Sequence, residues 1–257
     1  MPETMTPNVI HAARTGQLEC HFQPIALLAD GRFSALEARV RWQLGGETLG
    51  AADALALAAR QGELRTLDLN VIQLAIDTFL QAPVTVRSDL RLAINISTET
   101  ALGKGFVESL DRIFDVASLK PEQIRLELPA AAFERDAPRA RQIVEHLHAK
   151  GLRVAVDHVV DEVQLLRDLE GLPLDAVKLD ESLTARLPND IRACETLSQI
   201  VSTARRLGIE TGAEGIARID QLDCLRGVGC TEGQGMLICR PNPINSLRFL
   251  LERRRCW

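Results

Sequence analysis

The stretch HFQPIALL (21–28), ADGR (29–32), FSALEARVRW (33–42) decides the fold. Two apolar runs flank a short turn. A parallel crossover needs a dozen or more residues, so these two strands pair as an antiparallel hairpin. Outward from the hairpin the pattern changes. Six further strand-like runs follow: LRLAINIS (90–97), QIRLELP (123–129), LRVAVDH (152–158), DAVKLD (175–180), GIETGAEG (208–215) and EGQGMLICRP (232–241). Helical stretches at 51–82, 105–116, 133–150, 162–170, 190–208 and 217–229 separate most of them, and one more covers 244–255. Ile143 with Leu147, and Leu197 with Ile200 and Val201, show the three-and-four spacing of a buried helix face. Strands alternating with helices predict βα units and a largely parallel sheet. Eight strands in a chain of this length predict a (β/α)8 barrel, irregular at its start. The competing doubly wound sheet lacks a Gly-x-Gly-x-x-Gly turn after any strand.

Composition bounds the function. The 257 residues are 46% hydrophobic and 25% charged, a globular balance. No apolar run approaches the ~18–20 residues of a membrane helix. The start, MPETMTPNVIHAARTG, has no basic segment leading into an apolar one, so it does not read as a secretory signal. A net charge of −5 argues against a nucleic-acid polymer or an anionic membrane as partner. Seven Phe, two Trp and no Tyr argue against a base-stacking platform. The cysteines at 20, 194, 224, 230, 239 and 256 form no Cys-x-x-Cys pair. They read as reduced, mostly buried thiols of a cytoplasmic protein. Residues 1–16 read as a lead and 17–257 as one barrel domain.

Nearly every strand carries one polar residue in an apolar context: Glu37, Asn95, Glu127, Asp157, Lys178, Glu214 and Gln234. Each alone reads equally well as a strand-end charge meeting solvent. A carboxylate in such a place is costly unless a cation or metal pairs with it. Seven such residues on successive strands converge at the C-terminal mouth of a barrel, where chemistry sits. Oxygen donors of this kind suit Mg²⁺, Mn²⁺ or Ca²⁺, and such ions serve phosphate chemistry.

On these residues the chain resembles the EAL domain, the cyclic di-GMP phosphodiesterase family, from about Cys20 to Pro243. LEARVRW (36–42) is similar to the family's Glu-Ala-Leu-x-Arg-Trp, and INIS (94–97) to its Asn-Leu-Ser strand. LELPA (126–130) stands at Glu-x-Thr-Glu, and VAVDH (154–158) at Asp-Asp-Phe-Gly-Thr-Gly. LPLDAVKLD (172–180), AEGIA (213–217) and QGMLICRP (234–241) match further family segments. The resemblance implies a modified TIM barrel with an antiparallel first strand, in agreement with the hairpin. It implies Glu37, Asn95, Glu127 and Asp157 as metal ligands. Lys178 and Glu214 then serve the attacking water and a second metal, with Gln234 nearby. It implies Arg41 on a substrate phosphate and Gln23 on guanine or phosphate. The implied ligand is cyclic di-GMP. The implied cofactor is Mg²⁺ or Mn²⁺, with Ca²⁺ as an inhibitory occupant.

Departures from the pattern cluster. His158 replaces the second Asp of Asp-Asp, and a neutral imidazole is a plausible transition-metal ligand but a poor one for Mg²⁺. This leaves the second metal unsupported. Val159, Val160, Asp161 and Glu162 replace Phe-Gly-Thr-Gly, so both glycines are lost. Pro129 and Ala130 replace Thr and the second Glu; Arg39 replaces the signature Leu, and Ala217 a Glu. A shifted Asp161 or Glu162 is considered as a substitute ligand and set aside, because such a shift rarely recovers the geometry. The expectation is therefore a degenerate domain, inactive or weak, that binds cyclic di-GMP as a receptor. An active phosphodiesterase giving the linear dinucleotide is the alternative, and a protein-binding module is a further one. A homodimer and a regulatory protein partner stay open. His146, His148 and the basic LERRRCW terminus carry no site reading.

Overall fold

The computed structural model describes residues 8–115, 117–160 and 163–256. The hairpin is formed by β1 (Leu18–Leu27) and β2 (Phe33–Leu44), antiparallel, with Gln23 opposite Glu37. The other strands are β3 (Glu47–Leu49), β4 (Arg91–Asn95), β5 (Ile124–Pro129), β6 (Arg153–Val159), β7 (Ala176–Leu179), β8 (Glu210–Ala213) and β9 (Glu232–Gly233). They follow the order β1-β9-β8-β7-β6-β5-β4-β2, and β1 pairs with β2 to close the barrel. From β2 through β4 to β9 each pairing is parallel, while β1 is antiparallel to both neighbours. The fold is thus an eight-stranded modified TIM barrel with an antiparallel first strand. β3 is an added edge on β2.

All eight expected strands are present, and the last is the most changed. β9 ends after two residues because the chain then turns hard against Ile216. A Cβ on Gly235 would stand 2.2 Å from the Ile216 carbonyl oxygen, so only glycine fits. The helix expected at 51–82 is two helices, Ala51–Arg60 and Leu64–Phe79, broken where Gly62 adopts φ +70°. Apolar spacing continues across this break, which is why periodicity alone reads through it.

The barrel has two cores. The outer one lies between sheet and helices and holds Leu36, Leu92, Ile94, Leu126, Val154, Val156 and Val177, with Trp42, Phe79 and Phe106 fully buried. Side chains alternate along a strand, so residues one position away point inward. There Ile25, Ala35 and Ala93 form a separate small cluster. The small interior residues leave room for long charged chains above them. The helix Val9–Arg14 adds Val9 and Ala12 to the outer core.

Of the six cysteines only Cys20 and Cys230 are buried; the other four are partly exposed. Burial pushes the Cys20 and Cys230 thiols up to about 12, which makes them unreactive. No helix among the described residues is long and apolar enough to cross a membrane.

Candidate active site

The parallel register staggers the polar strand residues by up to two positions between neighbours, with Glu37 opposite Ala93 and Glu127 opposite Ala155, and all face the same end of the barrel. Asn95 pairs with Glu127, Lys178 with Gly212, and Pro129 with Asp157. Lys178 is the hub, fully buried by its surroundings. Its Nζ donates to Glu127 Oε2 at 2.5 Å and lies 2.9 Å from Glu214 Oε1. It is 3.7 Å from both Glu37 Oε2 and Asp157 Oδ1. Asn95 Nδ2 donates to Glu37 Oε1 at 2.5 Å. Gln234 Nε2 donates to Glu214 Oε1 at 2.8 Å and also to Glu37 Oε2. Seven residues from seven strands or strand ends are therefore one connected cluster. Above it opens a cavity of about 370 Å³ whose lining includes Glu37, Arg39, Asn95, Asp157, His158 and Glu214.

The cluster carries four carboxylates around one lysine. Burial raises the Glu127 and Glu214 carboxyls, Lys178 opposes this, and the neighbouring carboxylates push both further up. Glu37 goes the other way: burial is outweighed by Lys178, Arg39, Gln234 and Asn95, which hold it low. Lys178 is raised because four carboxylates outweigh its burial. Negative charge in surplus inside a barrel is what a divalent cation would balance. One buried oxygen of the cluster, Gln234 Oε1, receives no hydrogen bond. The donor set therefore fits an oxygen-binding cation.

His158 reaches this mouth through a bulge. Val156 pairs with Val177 and Val159 with Leu179, so two residues of β6 face one of β7. In a regular strand Asp157 and His158 would point to opposite faces; the bulge sends both to the rim. His158 adopts φ +61°. Its backbone N–H donates to Asp157 Oδ1 at 2.8 Å, and ring Nε2 lies 3.7 Å from Asp157 Oδ2. Ligand atoms of Asp157, His158 and Glu214 all lie within 4.8 Å of one another. Asp157 and Glu214 are buried, whereas His158 is exposed. Burial works against the imidazolium, but Asp157, Asp180 and Glu214 outweigh it and raise the ring.

This geometry corrects the expectation of an inactive or weak enzyme. That expectation took imidazole as a ligand for transition metals but not for Mg²⁺, and so left the second metal unsupported. Instead the bulge presents imidazole beside two carboxylates, a three-donor cluster compatible with divalent-metal coordination. Asp161 and Glu162, weighed as substitutes, lie outside the described residues.

Gln23 and Arg41 stand apart from the carboxylates. Gln23 donates to the Cys239 carbonyl at 3.1 Å. Arg41, half-buried, donates to the Val40 carbonyl at 2.9 Å. It shares a face of β2 with Arg39 and Glu37. Arg39 enters the cluster itself, 3.2 Å from Glu37 Oε2 and 3.4 Å from Glu214 Oε1. Read from sequence, Arg39 is only a departure from the signature. Its place two residues from Glu37 on a strand was the available signal, since that spacing shares a face. Arg125 and Glu232 were missed for the same reason. They repeat the two-residue spacing below Glu127 and Gln234.

The comparisons with known proteins follow this geometry. The EAL domain family matches residues 8–241. The chain is 30% identical over 252 residues to the cyclic di-GMP phosphodiesterase NbdA of Pseudomonas aeruginosa, covering 98% of this chain and 32% of NbdA. It is 30% identical over 235 residues to the cyclic di-GMP phosphodiesterase PA2567 of the same organism, covering 90% and 40%. A solved structure of PaMucR phosphodiesterase in complex with c-di-GMP superposes with a TM-score of 0.84 at 27% identity, covering 93% of this chain and 99% of that one. A barrel closed by a hairpin, with acidic residues converging at its mouth, defines a domain of the modified TIM-barrel class. The chain belongs to the EAL domain family. It spans about a third of the length of the curated relatives it matches first.

Proposed function

We propose that this domain is a metal-dependent cyclic di-GMP phosphodiesterase that opens the cyclic dinucleotide to its linear form. The observation that carries the reading is the Asp157, His158 and Glu214 donor cluster beside Glu37, Asn95 and Glu127. The names of NbdA, PA2567 and PaMucR support the substrate. Glu37, Asn95, Glu127 and Asp157 would hold one divalent cation, Mg²⁺ or Mn²⁺, with His158 and Glu214 toward a second. Such a cation, when bound, polarises the phosphate and lowers the pKa of the attacking water.

The chain's own residues do the rest. Lys178, held by Glu127 and Glu214, sits where a protonated ammonium orients the attacking water and screens the carboxylates from one another. Glu214, which lines the cavity beside Asp157, accepts the proton that water loses. Gln234 holds Glu37 and Glu214 together through one amide. Arg41, with its planar fork, takes a substrate phosphate, and Gln23 takes guanine or phosphate. The catalytic unit is proposed as one barrel domain over 17–257, preceded by a lead at 1–16.

The test is chromatography of cyclic di-GMP after incubation with purified protein and Mn²⁺ or Mg²⁺. The linear dinucleotide is expected, and Glu37→Ala is expected to abolish it. Nucleotide binding without product at high protein concentration overturns the proposal.

A further inference from the structure

We propose that His158 is a metal ligand through Nε2, oriented by Asp180, and that the mouth therefore selects a first-row transition ion (Mn²⁺, Fe²⁺, Co²⁺ or Zn²⁺) over Mg²⁺. The proposal rests on reading the mouth as a divalent-metal phosphodiesterase site.

Three observations carry it. The first is backbone. A non-glycine residue at φ +61° is uncommon, and such positions persist where the surroundings over-determine them. Here the bulge between β6 and β7 does so, turning His158 toward the cavity rather than toward the helices. The second is orientation. Ring Nδ1 lies 3.1 Å from Asp180 Oδ2, while Asp180 Oδ1 accepts the Ser182 N–H at 2.8 Å. Asp180 is thus fixed at both oxygens and holds the ring as a fixed acceptor. A neutral ring that donates Nδ1–H to a carboxylate presents the Nε2 lone pair outward. That carboxylate–histidine arrangement is how proteins set the tautomer and basicity of a ligating imidazole. The third is direction. Nε2 faces Asp157 Oδ2 at 3.7 Å, beyond hydrogen-bond reach, with Glu214 in the same small donor cluster.

The chemistry of the donor decides the selectivity. Mg²⁺ prefers an all-oxygen octahedron and gives up its waters reluctantly. Imidazole nitrogen favours the later first-row ions. One nitrogen among carboxylates therefore tilts the site toward them without excluding Mg²⁺. A surface histidine serving only as an ion-pair partner of Asp180 would produce no such tilt.

The experiment uses the metal-free protein titrated with Co²⁺, Mn²⁺ and Mg²⁺ separately by calorimetry, and pulsed EPR on the Mn²⁺ form. Imidazole ¹⁴N modulation is expected in the parent and lost in His158→Asp. That variant is expected to lower the ratio of Co²⁺ to Mg²⁺ affinity at least tenfold. Asp180→Asn keeps an oxygen for the Ser182 N–H, so the helix start at Glu181 is preserved. It is expected to weaken Co²⁺ binding about 10–100-fold while leaving Mg²⁺ affinity within twofold. Cation binding without nitrogen modulation in the parent overturns this proposal and leaves the phosphodiesterase reading standing. No binding of any divalent ion overturns both.

Discussion

The barrel interior holds two layers of buried charge, and they differ in balance rather than in burial. At the mouth, four carboxylates surround Lys178. Two positions lower on the strands, Arg125 Nη1 binds Glu232 Oε2 at 2.7 Å, and Arg91 lies 3.6 Å from the other Glu232 oxygen. Two cations there surround one carboxylate. Arg125 Nε also lies 3.3 Å from Glu127 Oε1, so the lower layer leans its excess positive charge against the acidic mouth. Arg125 and Glu232 are as nearly inaccessible to solvent as Lys178 and Glu37, while Arg91 is part-exposed. Burial therefore does not distinguish a site from a strut. Surplus charge of one sign, with cavity access, does.

The largest effect should come from the paired layer. Arg125→Met leaves Glu232 a buried carboxylate with the part-exposed Arg91 and the Ser34 hydroxyl as its remaining partners. Breaking a buried pair on one side costs about 3–5 kcal/mol, to be read from urea unfolding. Arg125→Met with Glu232→Met should recover most of that loss, because an apolar replacement of both partners is often neutral. No recovery in the double variant would show that the pair is not a self-contained strut.

The mouth should respond oppositely. Glu127→Gln removes a carboxylate whose charge burial disfavours. Thermal stability without metal should hold or rise, while turnover falls on the order of 10²–10³-fold. A variant that loses both would erase the distinction between the layers. Added Mn²⁺ sharpens the same contrast. At a hundredfold excess over its Kd, an ion binding only the folded state adds about 2.7 kcal/mol. Arg125→Met should keep most of that increment and Glu127→Gln should lose it.

These layers were unequally legible in the sequence. The seven mouth residues could be read because each interrupts an apolar run at a strand's C-terminal end. Arg125 and Glu232 could not, since Arg125-x-Glu127 reads equally as the wet face of an amphipathic strand. Only the parallel register shows that this face points into the barrel. The sequence marks His158 as a departure and as a transition-metal donor, but not as a member of a cluster with Asp157 and Glu214. Its place in that cluster depends on a bulge, and nothing in VAVDHVV marks where two residues will oppose one. The hairpin was legible because four residues admit a single pairing. The shortness of β9 was not, because Gly235 is needed for a contact with Ile216, distant in the chain.

Asp68 solves carboxylate burial a third way and gives the smallest expected effect. It lines the wall of the mouth cavity, buried, and its partners are neutral: the Ser97 N–H at 3.2 Å and the Ser97 hydroxyl. Burial raises its carboxyl above the ordinary 3.8, and the hydroxyl and amide donors only partly offset this. The folded state therefore binds this proton more tightly than the unfolded chain. Its contribution to stability is fully present below pH 3.8 and is lost as pH rises through the higher folded value. Asp68→Asn keeps an oxygen for Ser97 and removes the ionisation. Its stability relative to the parent should rise from about pH 4 upward and then level off. Taking the difference between the two proteins cancels every carboxylate they share. Parallel stability curves across pH 4–8 would mean that Asp68 is paired as well as the charges of the lower layer.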